Sequence, residues 1–237
     1  MRILAIESSA APASCCLWED GRILARAGQN GGMTHSQTLL PMCEQLLRQT
    51  GLSVADMDYI AVAAGPGSFT GVRIGVAAVK GLAFADTVPC IPVSTLAAMA
   101  RLTDGLPLNG TVCALMDARC GQVYTARFSL TNGELCRLTE DEAVAAADVA
   151  AALQQEKKPI LLLGDGAEMC YTMWKDTLPG LYLLPKEQRY QDAVGVAAEA
   201  AHRLSDAVPP EQLLPHYLRL PQAERELRAR QGADRPR

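Results

Sequence analysis

Two short segments of the chain carry residue types that could hold a phosphate group together with its metal ion. The first is Glu7-Ser8-Ser9, where a carboxylate can hold magnesium through water and small residues leave backbone N–H groups open to phosphate oxygens. The second is the run Gly65-Pro66-Gly67-Ser68-Phe69-Thr70-Gly71, whose glycines permit an irregular turn and whose Thr70 is predicted to cap a following helix. Each segment fits a structural role as well, a polar strand end for the first and an elbow for the second.

The histidines and cysteines lack the spacing that metal and nucleophilic sites use. His35 would need a second histidine four positions on, but that residue is Leu39, and His202 and His216 stand alone. No Ser-His-Asp arrangement is suggested by spacing. The eight cysteines include no C-x-x-C pair, so we expect reduced and mostly buried thiols. The sequence therefore predicts no metal centre.

The composition describes a chain with ample apolar content and little net charge. It has 237 residues, and 49% of them are hydrophobic, which is enough for a sizeable core. Its formal net charge of -4 argues against binding nucleic acid through bulk charge alone. Glu7 interrupts the first apolar run, so no signal peptide is predicted. No run approaches the roughly 18 apolar residues of a membrane span. We expect a soluble, cytoplasmic protein.

Residues 1–103 are predicted to form a first lobe with the element order β-β-β-α-β-α-β-α. The hairpin between its second and third strands is indicated by Glu19-Asp20-Gly21, and these strands should pair antiparallel. Thr34 and Gln37 have the spacing of a capping box. Pro41 suggests that the regular part of this helix starts later, and Gly51 predicts its end. The predicted strands are Arg2–Ile6, Ala13–Trp18, Arg22–Ala27, Tyr59–Ala63 and Val88–Val93, and the predicted helices are about Gln37–Thr50, Thr70–Ala85 and Ser94–Arg101, the last capped by Ser94.

Residues 104–191 are predicted to form a second lobe, after a boundary rich in turn-forming residues at Thr103–Gly110. A late amphipathic helix at Asp192–Arg203 is expected to return to the first lobe, within about residues 192–218. The arginine-rich tail, residues 221–237, is expected to be disordered. The second-lobe elements are predicted as strands Val112–Met116, Val123–Leu130, Glu134–Leu138 and Pro159–Leu163, a turn at Asn132-Gly133 and a helix at Asp141–Gln155.

Both lobes open with a strand and a hairpin, which indicates a duplicated fold. The pattern resembles the actin/Hsp70/sugar-kinase superfamily, a two-lobed α/β fold of ribonuclease H-like lobes with mixed sheets flanked by helices. There, Asp117 would take a place equivalent to Glu7. The superfamily's second phosphate loop is rich in glycine, whereas this chain has Gly121 alone, and Gly164-Asp165-Gly166 is a faint echo of the adenosine-binding turn. The resemblance thus implies a vestigial nucleotide or anion site of Glu7, Ser8, Ser9, Gly65, Gly67, Ser68, Thr70 and Asp117.

The predicted helix Thr70–Ala85 is unusually poor in polar residues. Its charged side chains, Arg73 and Lys80, lie seven positions apart on one stripe. One apolar face consists of Val72, Val76, Val79 and Ala83, and a smooth face consists of Gly71, Gly75, Ala78 and Leu82. Such a helix is usually buried on most sides, so the face turned away from its own sheet needs another helix or a partner protein.

Five blocks of the chain resemble the TsaB family over roughly residues 2–224. They are Ile3-Leu-Ala-Ile-Glu-Ser-Ser9, His35-Ser36 with Leu39-Leu40-Pro41, the GPGSFTGVRIG run through Lys80-Gly81-Leu82, Met116-Asp117-Ala118-Arg119, and Tyr217-Leu-Arg-Leu-Pro-Gln-Ala-Glu224. The GPG-containing block and the C-terminal block are the specific ones. Members often have Asp where this chain has Glu7, which weakens a direct metal role for that position.

The resemblance implies a supporting role in tRNA modification. Family members are non-catalytic and pair with TsaD, a subunit of similar fold that carries metal-binding histidines. TsaD transfers a threonylcarbamoyl group from its adenylate to the adenosine next to the tRNA anticodon, and the ATPase TsaE joins the pair. Pairing uses the first-lobe helices, and an apolar helix suits such a surface. The implied interface residues are Leu39, Leu40, Cys43, Gly71, Arg73, Gly75, Ala78, Lys80 and Leu82.

The resemblance also implies that no cofactor is bound tightly, while ATP or ADP can bind at the interface with the partner. tRNA would be reached only through the complex, and the chain is expected to form a homodimer when TsaD is missing. Two alternatives stay open: a degenerate small-molecule kinase and a glycoprotease-like metallopeptidase. Intact phosphate loops in both lobes would favour the first, and a histidine at position 39 would favour the second.

Overall fold

The first sheet has five strands in the order β3-β2-β1-β4-β5. The computed structural model of the protein describes residues 1–30 and 34–219. Strands β1, β2 and β3 form an antiparallel meander, and β4 and β5 run parallel to β1. Asp20 and Gly21 take positive φ angles of 47° and 86°, which confirms the predicted hairpin. The elements are β1 (Arg2–Glu7), β2 (Pro12–Glu19), β3 (Arg22–Asn30), α1 (His35–Thr50), β4 (Tyr59–Gly65), α2 (Phe69–Phe84), β5 (Cys90–Ser94) and α3 (Thr95–Arg101), in the predicted order.

The second sheet has six strands, five of them in the order β11-β10-β6-β7-β8, with β9 paired to β7. It begins with β6 (Gly110–Asp117), which pairs antiparallel with β7 (Gln122–Thr131), so it opens as the first sheet does. The remaining elements are β8 (Glu134–Arg137), β9 (Glu142–Ala145), α4 (Ala146–Leu153), β10 (Ile160–Leu163), α5 (Ala167–Trp174), β11 (Leu181–Leu183) and α6 (Ala193–Ala201).

Helices cover both faces of the first sheet. Successive side chains of β1 point to opposite faces, and all of those from Ile3 to Glu7 are buried. On one face, Leu4 and Ile6 pack with buried residues of α1 and α2. On the other, Ile3 and Ala5 pack with Val196 of α6. Helix α3 packs against the second sheet as well, so it lies between the two sheets and joins them.

Helix α1 begins earlier than the sequence predicts. It runs from His35, and Pro41 lies inside it. Thr34 is the N-cap residue, but its side chain makes no capping hydrogen bond, so the predicted capping box is wrong. Proline at position 41 removes a hydrogen bond to the carbonyl of Gln37, and both residues are exposed, so water can solvate that carbonyl. The end at Gly51, with a φ of 68°, is confirmed.

The helix predicted at Asp141–Gln155 is wrong in its first turn. Residues Glu142–Ala145 form β9, which pairs with Gln122–Thr125 of β7, and α4 begins only at Ala146. The pairing partner lies about twenty residues away, so a local apolar pattern could not reveal it. Helix α5 and strand β11 were not predicted, and the predicted disordered tail, residues 221–237, lies outside the described residues. Among residues 1–30 and 34–219, none of the helices combines the length and apolar character of a membrane span.

Candidate functional site

The carboxyl-terminal ends of β1, β4 and β6 meet at a cleft between the two sheets, with a volume of about 610 Å³. Five of the predicted nucleotide-site residues line it. Glu7, Ser8 and Gly65 do not. The lining includes Ser9, His35, Gly67, Ser68, Phe69, Thr70, Asp117, Arg119, Asp165, His216, Tyr217 and Arg219.

Glu7 is sealed inside the protein. Its side chain is fully buried, and its Oε1 accepts a hydrogen bond of 2.6 Å from the backbone N–H of Ser9. Within the described residues, Oε2 has no hydrogen-bond partner. Burial raises the pKa of Glu7 to about 7, the hydrogen bond from Ser9 opposes this, and the charges of Asp192 and Asp165 add to it. The carboxyl group is therefore turned toward its own loop.

The glycines of the GPG-containing run allow that run to close on the Glu7-Ser8-Ser9 loop. A Cβ atom on Gly67 would lie 2.5 Å from the carbonyl oxygen of Ser9, and one on Gly71 would lie 2.1 Å from that of Ser8. The N–H of Ser68 donates to the Ser9 carbonyl at 2.7 Å, and the Ser8 hydroxyl donates to the Gly71 carbonyl at 2.9 Å. These glycines therefore serve close backbone packing between the two loops.

Helix α2 starts one residue earlier than predicted and has a different cap. Ser68 is the N-cap residue, and its Oγ accepts a hydrogen bond of 3.3 Å from the N–H of Gly71. Thr70 is exposed in the first turn, so its predicted capping role is wrong. Ser68 directly precedes the first helical residue, which is the position where a hydroxyl can reach the free N–H groups. The start of the helix faces the cleft.

Two aspartates approach the cleft from the second sheet. Asp117 is exposed at the end of β6 and accepts a 2.7 Å hydrogen bond from the N–H of Arg119. Asp165 is exposed at the cleft, where partial desolvation raises its pKa, and it accepts a hydrogen bond of 3.1 Å from Gln191. The turn after Asp117 has three successive positive φ angles, 66°, 56° and 72°, at Arg119, Cys120 and Gly121. This turn is hard to recognise from the sequence, because arginine and cysteine rarely adopt such angles.

The described residues offer no ready metal centre. His35 lines the cleft, but its Nε2 lies 2.7 Å from the carbonyl oxygen of Ala10, a hydrogen-bond distance. Across residues 1–30 and 34–219, no group of three or more His, Cys, Asp or Glu side chains could hold a metal ion. The polar residues that line the cleft, among them His35, Asp117 and Arg119, can bind a ligand through hydrogen bonds and charge.

The predicted interface residues divide into outer and inner positions. Leu40 is 45% exposed and Arg73 is exposed, while Ala78, Lys80 and Leu82 are half-buried. Leu39, Cys43, Gly71 and Gly75 are buried within the chain, so they cannot touch a partner directly, and their prediction as contact residues is wrong. Gly71 and Gly75 face Ser8, where a Cβ atom on Gly75 would lie 2.4 Å from Oγ. Helical periodicity identifies a smooth face but cannot show what covers it.

The outer face of α1 and α2 has one residue that the sequence interpretation missed. Phe84, at the end of α2, is 74% exposed. Ala77 and Gly81 are exposed on the same helix. The sequence did contain a signal for this residue. Phe84 is a large aromatic residue at the end of a helix that already has an apolar face for the core, formed by Val72, Val76, Val79 and Ala83.

The duplicated strand–hairpin opening, the helix between the sheets and the cleft between facing strand ends define an actin/Hsp70/sugar-kinase-like protein of two lobes. A family model described as "TsaD: tRNA N6-adenosine threonylcarbamoyltransferase" matches residues 29–226. The "tRNA threonylcarbamoyladenosine biosynthesis protein TsaB" of Bacillus subtilis is 32% identical over 233 residues, which cover 94% of this chain and 96% of that protein. The Escherichia coli protein of the same name is 40% identical over 146 residues, 61% of this chain and 62% of its own.

A solved structure, YeaZ from Pseudomonas aeruginosa, superposes with a TM-score of 0.77 at 29% identity and covers 92% of this chain and 99% of its own. The chain belongs to the TsaB family, within the wider TsaD-related group that the family model describes.

Proposed function

We propose that this protein acts in threonylcarbamoyladenosine biosynthesis on tRNA, as a non-catalytic subunit that pairs with TsaD. The likeness to TsaB proteins extends along nearly the whole chain. The reaction is the transfer of a threonylcarbamoyl group to the adenosine next to the tRNA anticodon. In this proposal TsaD performs the transfer, and the present chain supports it by binding to it.

The observation that carries the proposal is the outer face of α1 and α2. These helices contact each other on one side of the first sheet, and their inner faces belong to its core. Their outer face carries Leu40 and Phe84, which are 45% and 74% exposed, and the small residues Ala77 and Gly81. Small residues let a partner helix approach closely, and exposed large apolar side chains gain from being covered. We assign pairing with TsaD to this face.

The cleft supports a non-catalytic role. Glu7 is fully buried and bonded to its own loop, and the N–H of Ser68 is bonded to the Ser9 carbonyl. Groups that a kinase of this fold would direct at phosphate are thus committed to protein contacts. A metallopeptidase site would need a second histidine at position 39, where this chain has a buried leucine.

A cleft of about 610 Å³ is nevertheless large enough for a small ligand. We propose that this chain alone holds no nucleotide tightly, and that ATP or ADP binds where the partner completes the site. We also propose that TsaE joins the pair, that tRNA is reached only through the complex, and that the work is done in the cytoplasm. When TsaD is missing, a second copy of the chain would cover the same outer face as a homodimer.

Reconstitution tests the proposal. Purified chain, TsaD and TsaE are combined with a threonylcarbamoyl donor and unmodified tRNA, and each protein is omitted in turn. We expect transfer to fall at least tenfold when this chain is omitted or heat-denatured, and we expect no ATP hydrolysis, peptidase activity or transfer from this chain alone. Turnover by the chain alone that survives stringent repurification would contradict a non-catalytic role.

A further inference from the structure

The last described part of the chain, residues 211–219, forms a strap along the mouth of the cleft. It starts from the first lobe, where Leu213 is fully buried in the core beside α2. Lys80 of α2 holds this start, because its Nζ donates hydrogen bonds to the carbonyl oxygens of Glu211 and Leu213 at 3.0 and 3.3 Å. Lys80 is therefore engaged within the chain.

The strap then crosses the end of β4 in direct backbone contact. The N–H of His216 donates to the carbonyl oxygen of Ala64 at 2.7 Å. Gly65 has a φ of +127°, and a Cβ atom there would lie 2.1 Å from the carbonyl oxygen of His216. Both the backbone angle and the close approach require glycine at this position. A glycine that looked like part of a phosphate loop in the sequence thus makes room for the strap.

Arg73 of α2 fixes the middle of the strap. Its Nε donates a 2.8 Å hydrogen bond to the hydroxyl of Tyr217. Its guanidinium carbon lies 3.8 Å from the centre of the Phe69 ring, and the Phe69 and Tyr217 rings are 4.8 Å apart. A cation over an aromatic ring and a ring pair at this spacing are both attractive. The three side chains form one cluster at the start of α2.

The far end of the strap reaches the second lobe. Arg219 donates a hydrogen bond to the carbonyl oxygen of Ala118, the first residue after β6. His216 and Leu218 line the cleft on one side and, on the other, a second cavity of about 700 Å³ that Arg137 and Glu199 also line. The strap therefore runs from one lobe to the other and divides the space between them.

We propose that the strap is a lock that fixes the angle between the two lobes. Helix α3 joins the lobes in the interior, and the Ser94 hydroxyl donates a 2.6 Å hydrogen bond to Asp141 of the second lobe beside the second cavity. Neither joint lies among the residues that line the cleft, so both leave its mouth to the strap.

The strap bridges the mouth of the cleft, because it is hydrogen-bonded to Ala64 on the first lobe and to Ala118 on the second. The hydrogen bond between Arg73 and Tyr217 holds the strap in place between these two ends. The lock needs no bound nucleotide, and it stands independently of the proposed pairing with TsaD.

Spin-label distances test the lock on the isolated, full chain. The native Cys120 is exposed and carries the label on the second lobe. Cys136→Ser removes the other exposed cysteine of the described residues, and Gln45→Cys adds a labelling site on α1 of the first lobe. With the wild-type strap we expect a single narrow distance distribution between the labels. Tyr217→Ala and Arg219→Ala should each broaden it. Tyr182→Ala, at a tyrosine 57% exposed on β11, is the matched control and should leave it narrow.

Hydrogen exchange on the same proteins reports whether the strap itself is released. We expect the His216 amide to exchange more than tenfold faster in Tyr217→Ala and a few-fold faster in Tyr217→Phe, which removes one hydrogen bond and keeps the ring. Circular dichroism confirms that each variant is folded, and the mild Tyr217→Phe change keeps the test valid if Tyr217→Ala fails to fold. A released strap with an unchanged distance distribution would overturn the proposal, as would unchanged exchange in both tyrosine variants.

Discussion

Glu7 illustrates how the surroundings of a carboxyl group decide its chemistry. An acid at the end of the first strand is where this superfamily contacts phosphate or its metal ion. In the folded chain, the glycine-rich run packs over Ser8 and Ser9, and Glu7 becomes fully buried. Its pKa rises from an ordinary value of 4.5 to about 7, mainly because burial disfavours the charged form. Near neutral pH the protein therefore contains a buried acid that is partly protonated.

Glu7→Gln should stabilise the protein above neutral pH. A carboxyl group whose folded pKa is raised contributes stability that is fully present below its unfolded pKa, near 4.5, and lost as pH rises through about 7. With about 1.4 kcal/mol per pKa unit, charging Glu7 costs the fold on the order of 3 kcal/mol. Glutamine keeps the shape and cannot ionise, so the variant should gain up to that amount at pH 8 and little at pH 4.5.

Thermal melting at pH 4.5, 6 and 8 measures this gain. Some pH dependence should remain in the variant, because partial desolvation at the cleft also raises the pKa of Asp165. Glu134→Gln, at an exposed position on β8, is the control and should follow the wild type. Equal destabilisation of Glu7→Gln at all three pH values would contradict the prediction. It would show that the fold needs the hydrogen bonding of the carboxyl group and that the charge of Glu7 does not destabilise it.

Helix α2 contacts three different parts of the protein, each with a different side. Val72, Val76 and Val79 enter the core under the sheet, while Gly71 and Gly75 pack on Ser8. Its two charged residues hold the strap. What is left for a partner is the outer strip with Ala77, Gly81 and Phe84. The apolar character of this helix thus has mostly internal causes, and the surface available for pairing is narrower than the whole helix.

Ala77→Arg should block pairing and leave the fold intact. Ala77 is exposed in the middle of the outer strip, so arginine there would disturb close helix approach without entering the core. We expect TsaD binding to weaken at least tenfold and the homodimer to dissociate, as measured by calorimetry and light scattering. Ala151→Arg, the same change at an exposed site on α4, should bind normally. Ala78 is half-buried beside the core and gives a less clear answer.

Equal binding by Ala77→Arg and Ala151→Arg would exclude the outer strip of α2 as the pairing surface. Circular dichroism accompanies both measurements, since a loss of helical signal in Ala77→Arg would show instead that position 77 is packed within the chain. In that case the exposed side of α1 around Leu40 would become the remaining surface on these two helices to examine.

At the scale of the whole molecule, two sheets are held by a shared helix and by a strap at the cleft. Ion pairs hold α6 to its neighbours: Arg101 and the exposed Arg203 both bind the buried Glu199, and the exposed Arg26 of the first sheet binds Asp192 at the start of α6. The chain as a whole has 22 Lys and Arg against 26 Asp and Glu residues, a formal net charge of -4. The molecule as a whole therefore has little electrostatic attraction for a polyanion.

The chain alone should bind tRNA weakly. Affinity for nucleic acid comes largely from neutralised phosphates, and a net negative chain offers few such contacts. A gel shift at physiological salt should show no retained band at micromolar chain, whereas the complex with TsaD, in the same buffer, should retain tRNA. Tight binding by the chain without TsaD would place a tRNA surface on this subunit and count against the supporting role.

The amino-acid sequence determined the order of elements in the first lobe, the hairpin at Asp20-Gly21, the end of α1 and the family, because these depend on local backbone preferences and on contiguous motifs. Only the tertiary structure decided which side of α2 is open, why Gly65 and Gly71 are glycines, and that Arg73 and Lys80 hold the strap. Those facts depend on contacts between residues far apart in the sequence, for example 63 positions for Gly71 with Ser8 and 144 for Arg73 with Tyr217. Periodicity describes one element at a time, and it carries no information about what the rest of the chain places against each face.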